Sequence, residues 1–343
     1  GSLKMLIKEM DERARERDLA ELNALLQLPY VPAYTREQIK KTIRNIQSGL
    51  KGEKDAAYHI NFYYENHKNW AVIHDLRLEV DGHSAQIDHL LIDRFLEIYV
   101  CESKRFNEGI GINEHGEFFS VNADRKHKAI ESPIEQNNRH KLILKRLFDS
   151  DEIILPTRLG LKMKPSLHSL ILIANTSKIY RPKNGKNVDD LDRVIKVEQL
   201  RKRIEKDFMG NSPSELMHQV TSVAKMISSE TLEEFAEDLA SLHTPLKTNW
   251  KKRFGITDRQ PKITVRASTP QTAATIAPKP TNAPSAPAIT QPAAPQPTQP
   301  QHLFCAACKK TVSPNVANYC WNNQARFHGK VYCYDCQRNV GKT

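Results

Sequence analysis

The sequence predicts an α/β protein in which a mixed sheet is flanked by helices, followed by a proline-rich segment and a small cysteine-rich module. Three observations support this prediction: β-rich runs between residues 72 and 102, apolar residues at helical spacing around them, and a sharp change of composition near residue 261. The 343 residues allow two or three folded units, and a hydrophobic content of 39% suffices for a core. No apolar run reaches the roughly 18 residues of a membrane span, and the charged first residues do not resemble a secretory signal.

Helices are predicted first near the N-terminus. Residues 3–27 carry leucines among many charges, and a second apolar stripe runs from residue 39 to residue 60 at helical spacing. Thr35 and Gln38 have the spacing of a capping box, which predicts that the second helix starts there. Further helices are predicted over residues 132–148, 200–208 and, as one or two helices, 214–242.

Strands are predicted where β-branched, aromatic and polar residues alternate. Three such runs cover residues 72–80, 85–92 and 95–102, a hairpin is predicted over 109–121, and two more strands over 167–175 and 194–197. Ten prolines between residues 261 and 300 predict an extended, disordered linker. We therefore predict a helical segment at 1–47, an α/β domain at 48–210, a helical extension at 211–252, a linker at 253–302 and a cysteine module at 303–343.

The β-rich run that ends at Lys104 carries the strongest functional signal. Side chains alternate along a strand, so Glu102 and Lys104 share the face of the apolar residues that precede them. On the preceding run, Asp88 shares its face with Leu90. If the two runs pair as a hairpin, the two carboxylates converge, and Glu53 on the apolar stripe of the second helix is a third acid.

Converging carboxylates beside an amine suit the hydrolysis of phosphodiester bonds. Hard divalent cations such as Mg²⁺ prefer carboxylate oxygens, and a bound metal lowers the pKa of a water and neutralises phosphate charge. A nearby lysine can orient that water. Spacing alone also allows a plainer interpretation, in which Glu102 and Lys104 form a surface pair and Asp88 closes a turn.

The order of these motifs resembles the nuclease-related domain (NERD) family of the PD-(D/E)XK nuclease superfamily. The resemblance covers roughly residues 48–175 and rests on four motifs: Gly52-Glu53 opening a helix, Gln86 to Ile92, Glu102-Ser103-Lys104, and the Pro-x-x-Gln pattern within Ser132 to Gln136. Ser103 and Arg105 depart from the pattern, in which an apolar residue and Asn are more typical. The acid-x-Lys motif itself is intact.

The resemblance implies a deoxyribonuclease dependent on Mg²⁺ or Mn²⁺, with an α/β nuclease core. Asp88 and Glu102 would bind the metal, and Lys104 would position the water. Glu53 would support the metal or its waters, and Gln136 would contact the substrate backbone or complete the site. Basic residues that follow the motif could bind phosphates, with a solvated helix face as the alternative, and we assign to nucleic-acid binding Arg105, Lys126 and Arg139.

Five of the six cysteines lie in the last 39 residues. Cys305 and Cys308 form one Cys-x₂-Cys pair, and Cys333 and Cys336 form a second pair 24 residues further on. Four thiolates at this spacing predict a closed, structural Zn²⁺ site. A module of this size has little core, so metal binding would drive its folding, and Cys320 is predicted to pack as a small apolar residue.

Aromatic and basic residues lie between the two cysteine pairs. Such a mixture can stack on DNA bases, although the same aromatics could instead form the small core around the metal. The segment resembles the zinc-ribbon-like modules of some nuclease-related proteins and bacterial topoisomerases, where they bind DNA. We assign to nucleic-acid binding Lys309, Lys310 and Arg326.

Charge and cysteine use complete the functional prediction. A net charge of +11 suits a nucleic-acid partner, and clustered thiols without a secretion signal indicate the reducing cytoplasm rather than disulfides. The sequence thus predicts a cytoplasmic DNA nuclease guided by a tethered zinc module, with no membrane partner. RNA stays open as a substrate. The alternatives are a non-catalytic DNA-binding protein and an adaptor whose zinc module or proline-rich linker docks a protein.

Overall fold

The computed structural model describes residues 2–209, 225–257 and 303–340 of the chain. Most of the predicted linker, and residues 211–224 of the predicted helical extension, lie outside these described residues. The described helices are α1 (Glu12–Leu26), α2 (Ala33–Tyr64), α3 (Pro133–Phe148), α4 (Leu200–Met209), α5 (Ser229–Ser241), α6 (Trp250–Arg253), α7 (Pro314–Asn322), α8 (Gln324–Phe327) and α9 (Tyr334–Gln337).

The described strands confirm the predicted mixture of helices and sheet. They are β1 (Leu6–Lys8), β2 (Trp70–Val80), β3 (His83–Asp93), β4 (Glu97–Lys104), β5 (Gly109–Ile112), β6 (Phe118–Val121), β7 (His127–Ile130), β8 (Thr157–Arg158), β9 (Leu161–Lys162), β10 (Ser166–Ile173), β11 (Lys178–Tyr180), β12 (Val194–Lys196), β13 (Leu303–Phe304) and β14 (Thr311–Val312). The predicted hairpin over residues 109–121 is formed by β5 and β6.

A six-stranded mixed sheet with the order β1-β2-β3-β4-β10-β12 forms the centre of the molecule. Strands β2, β3 and β4 are antiparallel, whereas β1, β10 and β12 each run parallel to a neighbour. Asp81 and Gly82 have φ values of 50° and 78°, which suits a tight hairpin turn between β2 and β3. Leu90 pairs with Val100 across β3 and β4, so the predicted hairpin is present.

Helices cover both faces of this sheet. Leu90 and Val100 belong to a buried cluster that includes residues of α3 and α5. Leu91 and Tyr99, one residue along on each strand, point to the other face and pack with residues of α2 and α4. This alternation gives a three-layer arrangement in which α2 and α3 lie on opposite sides of β3 and β4.

The N-terminal segment differs from the predicted helix over residues 3–27. Residues 6–8 form β1, in which Leu6 pairs with Val72 of β2. Helix α1 starts only at Glu12, where the side chain of Asp11 accepts a hydrogen bond from the backbone N–H of Ala14. An edge strand of three residues is too short to leave an alternating pattern, so the helical leucines dominated the prediction.

Helix α2 is longer than the sequence motifs indicated. It begins at Ala33 after Pro32, so the predicted capping box at Thr35 is wrong. Gly52 and Glu53 lie inside its 32 residues rather than at the opening of a helix. A Cβ atom on Gly52 would lie 3.0 Å from the Cβ of Arg105, so the glycine allows the chain after β4 to approach the helix closely.

The start of α3 matches its prediction. Ser132 caps the helix by accepting a hydrogen bond from the backbone N–H of Glu135, and Pro133 occupies the first turn. Within the parts of the chain that the structure describes, no helix combines the length and apolar character needed to cross a membrane.

Candidate active site and cysteine cluster

Strands β3 and β4 bring together the acids that the sequence singled out. Asp88 is 8% exposed and Glu102 is 4% exposed. The Oδ2 atom of Asp88 accepts hydrogen bonds from the backbone N–H of Ser103 at 2.9 Å and from its hydroxyl at 3.1 Å. The hairpin therefore places Asp88 beside the Glu102-Ser103-Lys104 motif.

Glu102 and Lys104 form a pair that is largely withdrawn from solvent. The Nζ atom of Lys104 lies 3.1 Å from Oε1 of Glu102, whose side chain is only 6% exposed. The surface-pair interpretation therefore does not fit Glu102. Its second oxygen, Oε2, is buried without a hydrogen-bond partner. Such an orphaned buried oxygen is costly unless something polar or charged binds it.

Burial raises the pKa values of Glu53, Asp88 and Glu102, and repulsion adds to the rise at the two glutamates. Burial, together with the charge of Asp88, raises the pKa of Glu53 to about 9 and that of Glu102 to about 8. Burial also raises the pKa of Asp88 itself. Carboxyl groups this close cannot all ionise without a compensating positive charge.

Lys104 supplies part of the compensating charge. Burial alone would lower the pKa of its amine, but the charges of Glu102 and Asp88 outweigh burial and raise the pKa. The amine is therefore a fixed cation beside the acids. One lysine does not offset three acids, which is consistent with the raised pKa values of Glu53 and Glu102.

The residues present fit a hard divalent cation. Asp88 and Glu102 offer carboxylate oxygens, one of them without a partner, and Mg²⁺ typically takes one or two protein carboxylates plus waters and substrate phosphates. Among the described residues, the potential ligand atoms of three or more residues lie within 4.8 Å of one another only in the four-cysteine cluster, so the acids would offer an ion two carboxylates rather than a complete ligand set.

Arg15 and Asp75 join this site although the sequence gave no sign of them. The Nη2 atom of Arg15, on α1, lies 3.2 Å from Oε2 of Glu53 and 3.2 Å from Oδ1 of Asp75. Gln86 donates a 2.6 Å hydrogen bond to the same oxygen of Asp75. Arg15 therefore holds Glu53 from a helix that precedes the motifs in sequence.

Asp75 has an unusual backbone. Its φ of 55° lies in the left-handed region, which non-glycine residues adopt rarely and at a cost. The ladder between β2 and β3 pairs His74 with His89 and Leu76 with Ile87, and it is interrupted between these two pairs. The interruption falls at Asp75 and Asp88, so the irregular backbone coincides with the acid site.

His140 is another neighbour of Glu102. Its Nδ1 atom is buried, has no hydrogen-bond partner and lies 4.0 Å from Oε2 of Glu102. Burial lowers the pKa of His140 to about 4, so the ring is neutral. Gln136, the predicted backbone contact, lies half-buried one helical turn earlier on α3.

The predicted phosphate-binding residues of the α/β domain have partners other than these acids. Arg105 contacts the hydroxyl of Ser48 at 3.4 Å. Lys126 lies in the β6–β7 turn, 3.7 Å from Asp124, and Arg139 pairs with Glu131. Lys126 and Arg139 are exposed, so their charges are available at the surface.

The cysteine module gathers the four predicted ligands. The sulfur atoms of Cys305, Cys308, Cys333 and Cys336 all lie within 4.8 Å of one another. Burial opposes ionisation of Cys305, but backbone N–H donors, led by that of Cys308, outweigh it and lower the pKa of this thiol to about 6. The set can therefore hold a soft or borderline metal ion such as Zn²⁺.

Cys320 has a different environment from these four. Its sulfur is buried and accepts hydrogen bonds from the backbone N–H of Tyr332 at 3.4 Å and from the amide of Gln337 at 3.6 Å. Arg326, a predicted DNA contact, donates to the backbone oxygens of Gln337 and Val340 and lies 4.8 Å from the ring centroid of Phe327. Arg326 thus binds within its own module.

The central mixed sheet carries Asp88 in the middle of β3, and Glu102 and Lys104 at the end of the adjacent β4. Comparison with protein families identifies residues 48–174 as a nuclease-related domain (NERD). Comparisons with curated proteins and with solved structures give no match. The matched region starts within α2 and ends directly after β10, so it contains Glu53, Asp88, Glu102 and Lys104 but not Arg15.

Proposed function

We propose that this protein is a metal-dependent nuclease that hydrolyses phosphodiester bonds in DNA. The observation that carries the proposal is the buried carboxylate group formed by Asp88 in the middle of β3 and Glu102 near the end of β4, where Oε2 of Glu102 has no partner and Lys104 is the adjacent cation. The nuclease-related domain supports the same reaction class.

Asp88 and Glu102 would hold Mg²⁺ or Mn²⁺. When bound, such an ion lowers the pKa of a water and neutralises charge on the phosphate. The positive charge of the ion would offset the repulsion between ionised Asp88 and Glu102. The requirement for two ionised carboxylates makes metal binding weaker at low pH, because protons compete for Glu102.

Lys104 would orient the attacking water and stabilise the negative charge that develops on the phosphate. Its amine is held against Glu102, and its raised pKa keeps it cationic at neutral pH. Glu53, itself held by Arg15, would support the metal or its waters. Gln136 would contact the backbone of the substrate from the first turn of α3.

The zinc module would bring the nuclease domain to DNA. Lys309 and Lys310 are exposed, and the side chain of Trp321 is 41% exposed. The module therefore presents basic side chains and an aromatic surface to DNA. Joining two modest binding sites raises the local concentration of the second. Arg326 is less suited to this role, because its donors serve the backbone of the module.

Cleavage assays test the proposal. Circular, linear and single-stranded DNA, and RNA of matched length, are incubated with the full chain and Mg²⁺, Mn²⁺ or a chelator. We expect metal-dependent cleavage that Asp88→Asn, Glu102→Gln and Lys104→Ala each abolish while circular dichroism shows a folded protein. Cleavage that survives these substitutions would refute the site, and cleavage confined to RNA would correct the substrate.

The alternative is a protein that binds DNA or a protein partner without cutting. A folded chain that binds DNA but shows no cleavage with either metal would favour it. Removal of residues 303–343 separates the two roles of the zinc module. Weaker DNA binding with retained turnover at high enzyme supports DNA targeting, whereas unchanged DNA affinity points to an adaptor module.

A further inference from the structure

A chain of buried hydrogen bonds runs from α2 across three strands to Asp88. Nε2 of His74 lies 2.7 Å from Oδ1 of Asn61, and Nδ1 of His74 lies 2.8 Å from Nδ1 of His89. Nε2 of His89 lies 3.2 Å from Oγ of Ser103. Ser103 ends the chain, because its hydroxyl and its backbone N–H both donate to Oδ2 of Asp88.

Both imidazoles in this chain are neutral. His74 is 1% exposed and His89 is fully buried. Burial lowers the pKa of His74 to about 4. The partners of His89 within hydrogen-bond distance, the ring of His74 and the hydroxyl of Ser103, are not anions that would stabilise a charged imidazole in this buried position. A neutral imidazole has one N–H donor and one acceptor nitrogen. The contact between the two Nδ1 atoms therefore contains one proton, and the tautomer of one ring fixes that of the other.

An ionised Asp88 selects one direction for the whole chain. A carboxylate only accepts, so the hydroxyl proton of Ser103 points to Asp88 and its oxygen accepts from Nε2–H of His89. Nδ1 of His89 then accepts from Nδ1–H of His74. In this direction Nε2 of His74 accepts, so the amide group of Asn61 must rotate by half a turn to exchange the oxygen that now faces His74 for its nitrogen. The opposite direction would take the hydroxyl proton away from Asp88.

The hydrogen-bond chain carries a desolvation cost in free energy, which suggests that it has a functional role. Four ring nitrogens are desolvated between the sheet and α2, where two apolar side chains could fill the same space without that penalty. The end of the chain indicates the purpose, because Oδ2 of Asp88 receives two donors from Ser103. Carboxylates that bind metals are commonly oriented by such outer hydrogen bonds.

We propose that His74, His89 and Ser103 are positioning residues that orient Asp88 for a divalent cation, with His89 in its Nε2–H form and His74 in its Nδ1–H form. The inference rests on the proposed metal site at Asp88 and Glu102. It adds a layer of residues behind the carboxylates that neither the acid-x-Lys motif nor the family match assigns.

Mn²⁺ affinity measures the orientation of Asp88 directly. Electron paramagnetic resonance counts free Mn²⁺ in a titration of the full chain without DNA. We expect Ser103→Ala to weaken Mn²⁺ binding about tenfold, the lower end of the usual effect of outer-layer substitutions. Ser103→Thr keeps the hydroxyl and should restore most of the affinity.

Ser169→Ala is the matched control. Ser169 is a buried serine on β10 that accepts a 2.5 Å hydrogen bond from Asn137, so its loss perturbs the same sheet without touching Asp88. Its Mn²⁺ affinity should equal that of the wild-type chain. An unchanged affinity in folded Ser103→Ala, or an equal loss in Ser169→Ala, would overturn the inference.

The tautomers of His74 and His89 give a second readout, because a role in packing alone would not select one tautomer of each ring. Nitrogen NMR spectra of the Mg²⁺-loaded chain, assigned with His74→Gln and His89→Gln, report which ring nitrogen carries the proton. Protons on Nε2 of His89 and Nδ1 of His74 support the inference, and the opposite pair contradicts it. If the protein shows these tautomers and the expected Mn²⁺ affinities of the variants but does not cleave DNA, only the proposed nuclease activity is refuted. A wild-type chain that binds no Mn²⁺ would overturn the metal site and the inference together.

Discussion

The acid site and the cysteine cluster are both candidate metal sites, yet the protein builds them in opposite ways. Asp88 and Glu102 lie on the adjacent strands β3 and β4, which two helical layers hold in place. In the cysteine module, Cys305 packs with Val312 and Val316 in a small cluster, and three more of the thiols surround it. The acid site lowers folding stability, and the large core around the central sheet compensates for it. The cysteine cluster instead forms much of the core of its own module.

This difference predicts opposite responses to the loss of a ligand. Removing a thiol takes away a bond that holds the module together. Removing a carboxylate relieves repulsion between buried acids in the metal-free state, and harms only the binding of the ion. Stability and metal affinity should therefore move together in the cysteine module and in opposite directions at the acid site.

The largest expected effect is at the cysteine cluster. Cys308→Ser should abolish zinc binding and unfold residues 303–340, because structural zinc contributes roughly 10 kcal/mol or more to such modules. Metal analysis and hydrogen exchange measured peptide by peptide would show the loss, with protection of the central sheet unchanged. Cys320→Ala is the control and should keep one equivalent of zinc. Full protection of residues 303–340 in zinc-free Cys308→Ser would contradict the account.

At the acid site, Glu102→Gln should raise the stability of the metal-free chain while it removes Mn²⁺ binding. At pH 9 Glu102 is ionised against its neighbours, so the variant should gain more than about 1 kcal/mol in free energy of unfolding. Urea unfolding with a chelator measures this gain. The exposed Glu114→Gln should change neither quantity, and a destabilised Glu102→Gln would break the comparison.

The gain in Glu102→Gln should also depend on pH. Folded Glu102 keeps its proton up to a pKa of about 8, whereas the unfolded chain loses it near the ordinary value. The folded state thus binds more protons between these values, and the wild-type chain loses stability relative to the variant as pH rises from 5 to 9. Unfolding free energies of the two proteins at pH 5, 7 and 9 check this slope. A difference independent of pH would mean that Glu102 titrates normally.

The smallest expected effect concerns Arg15. Arg15→Ala should weaken Mn²⁺ binding by a few fold, about 1 kcal/mol or less, because Glu53 loses one charged hydrogen bond and Asp75 loses another. Arg17→Ala removes an equal charge from an exposed position on α1 and should leave the affinity unchanged. Equal effects in the two variants would mean that Arg15 acts through net charge alone.

The central hairpin and its acids were predictable because local patterns specify them. Alternation along β3 and β4 placed Asp88 and Glu102 on faces that pairing then brought together. The serine cap and Pro133 likewise set the start of α3. The two Cys-x₂-Cys pairs specified their own cluster by spacing alone.

The remaining features depend on contacts between distant parts of the chain. Arg15 reaches Glu53 across 38 residues, and nothing in α1 distinguishes it from the neighbouring charges. Asp75 looks like an ordinary polar position in an alternating strand until its left-handed backbone is seen. His74 and His89 acquire their contact from the register between β2 and β3, which no local pattern reveals.

The central claim is that the carboxylate group serves phosphodiester hydrolysis. The most direct measurement is the rate of cleavage of supercoiled circular DNA in Mg²⁺ by the wild-type chain, Asp88→Asn and the exposed control Asp124→Asn. We expect metal-dependent cleavage by the wild-type chain and Asp124→Asn, and none by folded Asp88→Asn. Cleavage by Asp88→Asn at the wild-type rate would contradict that claim.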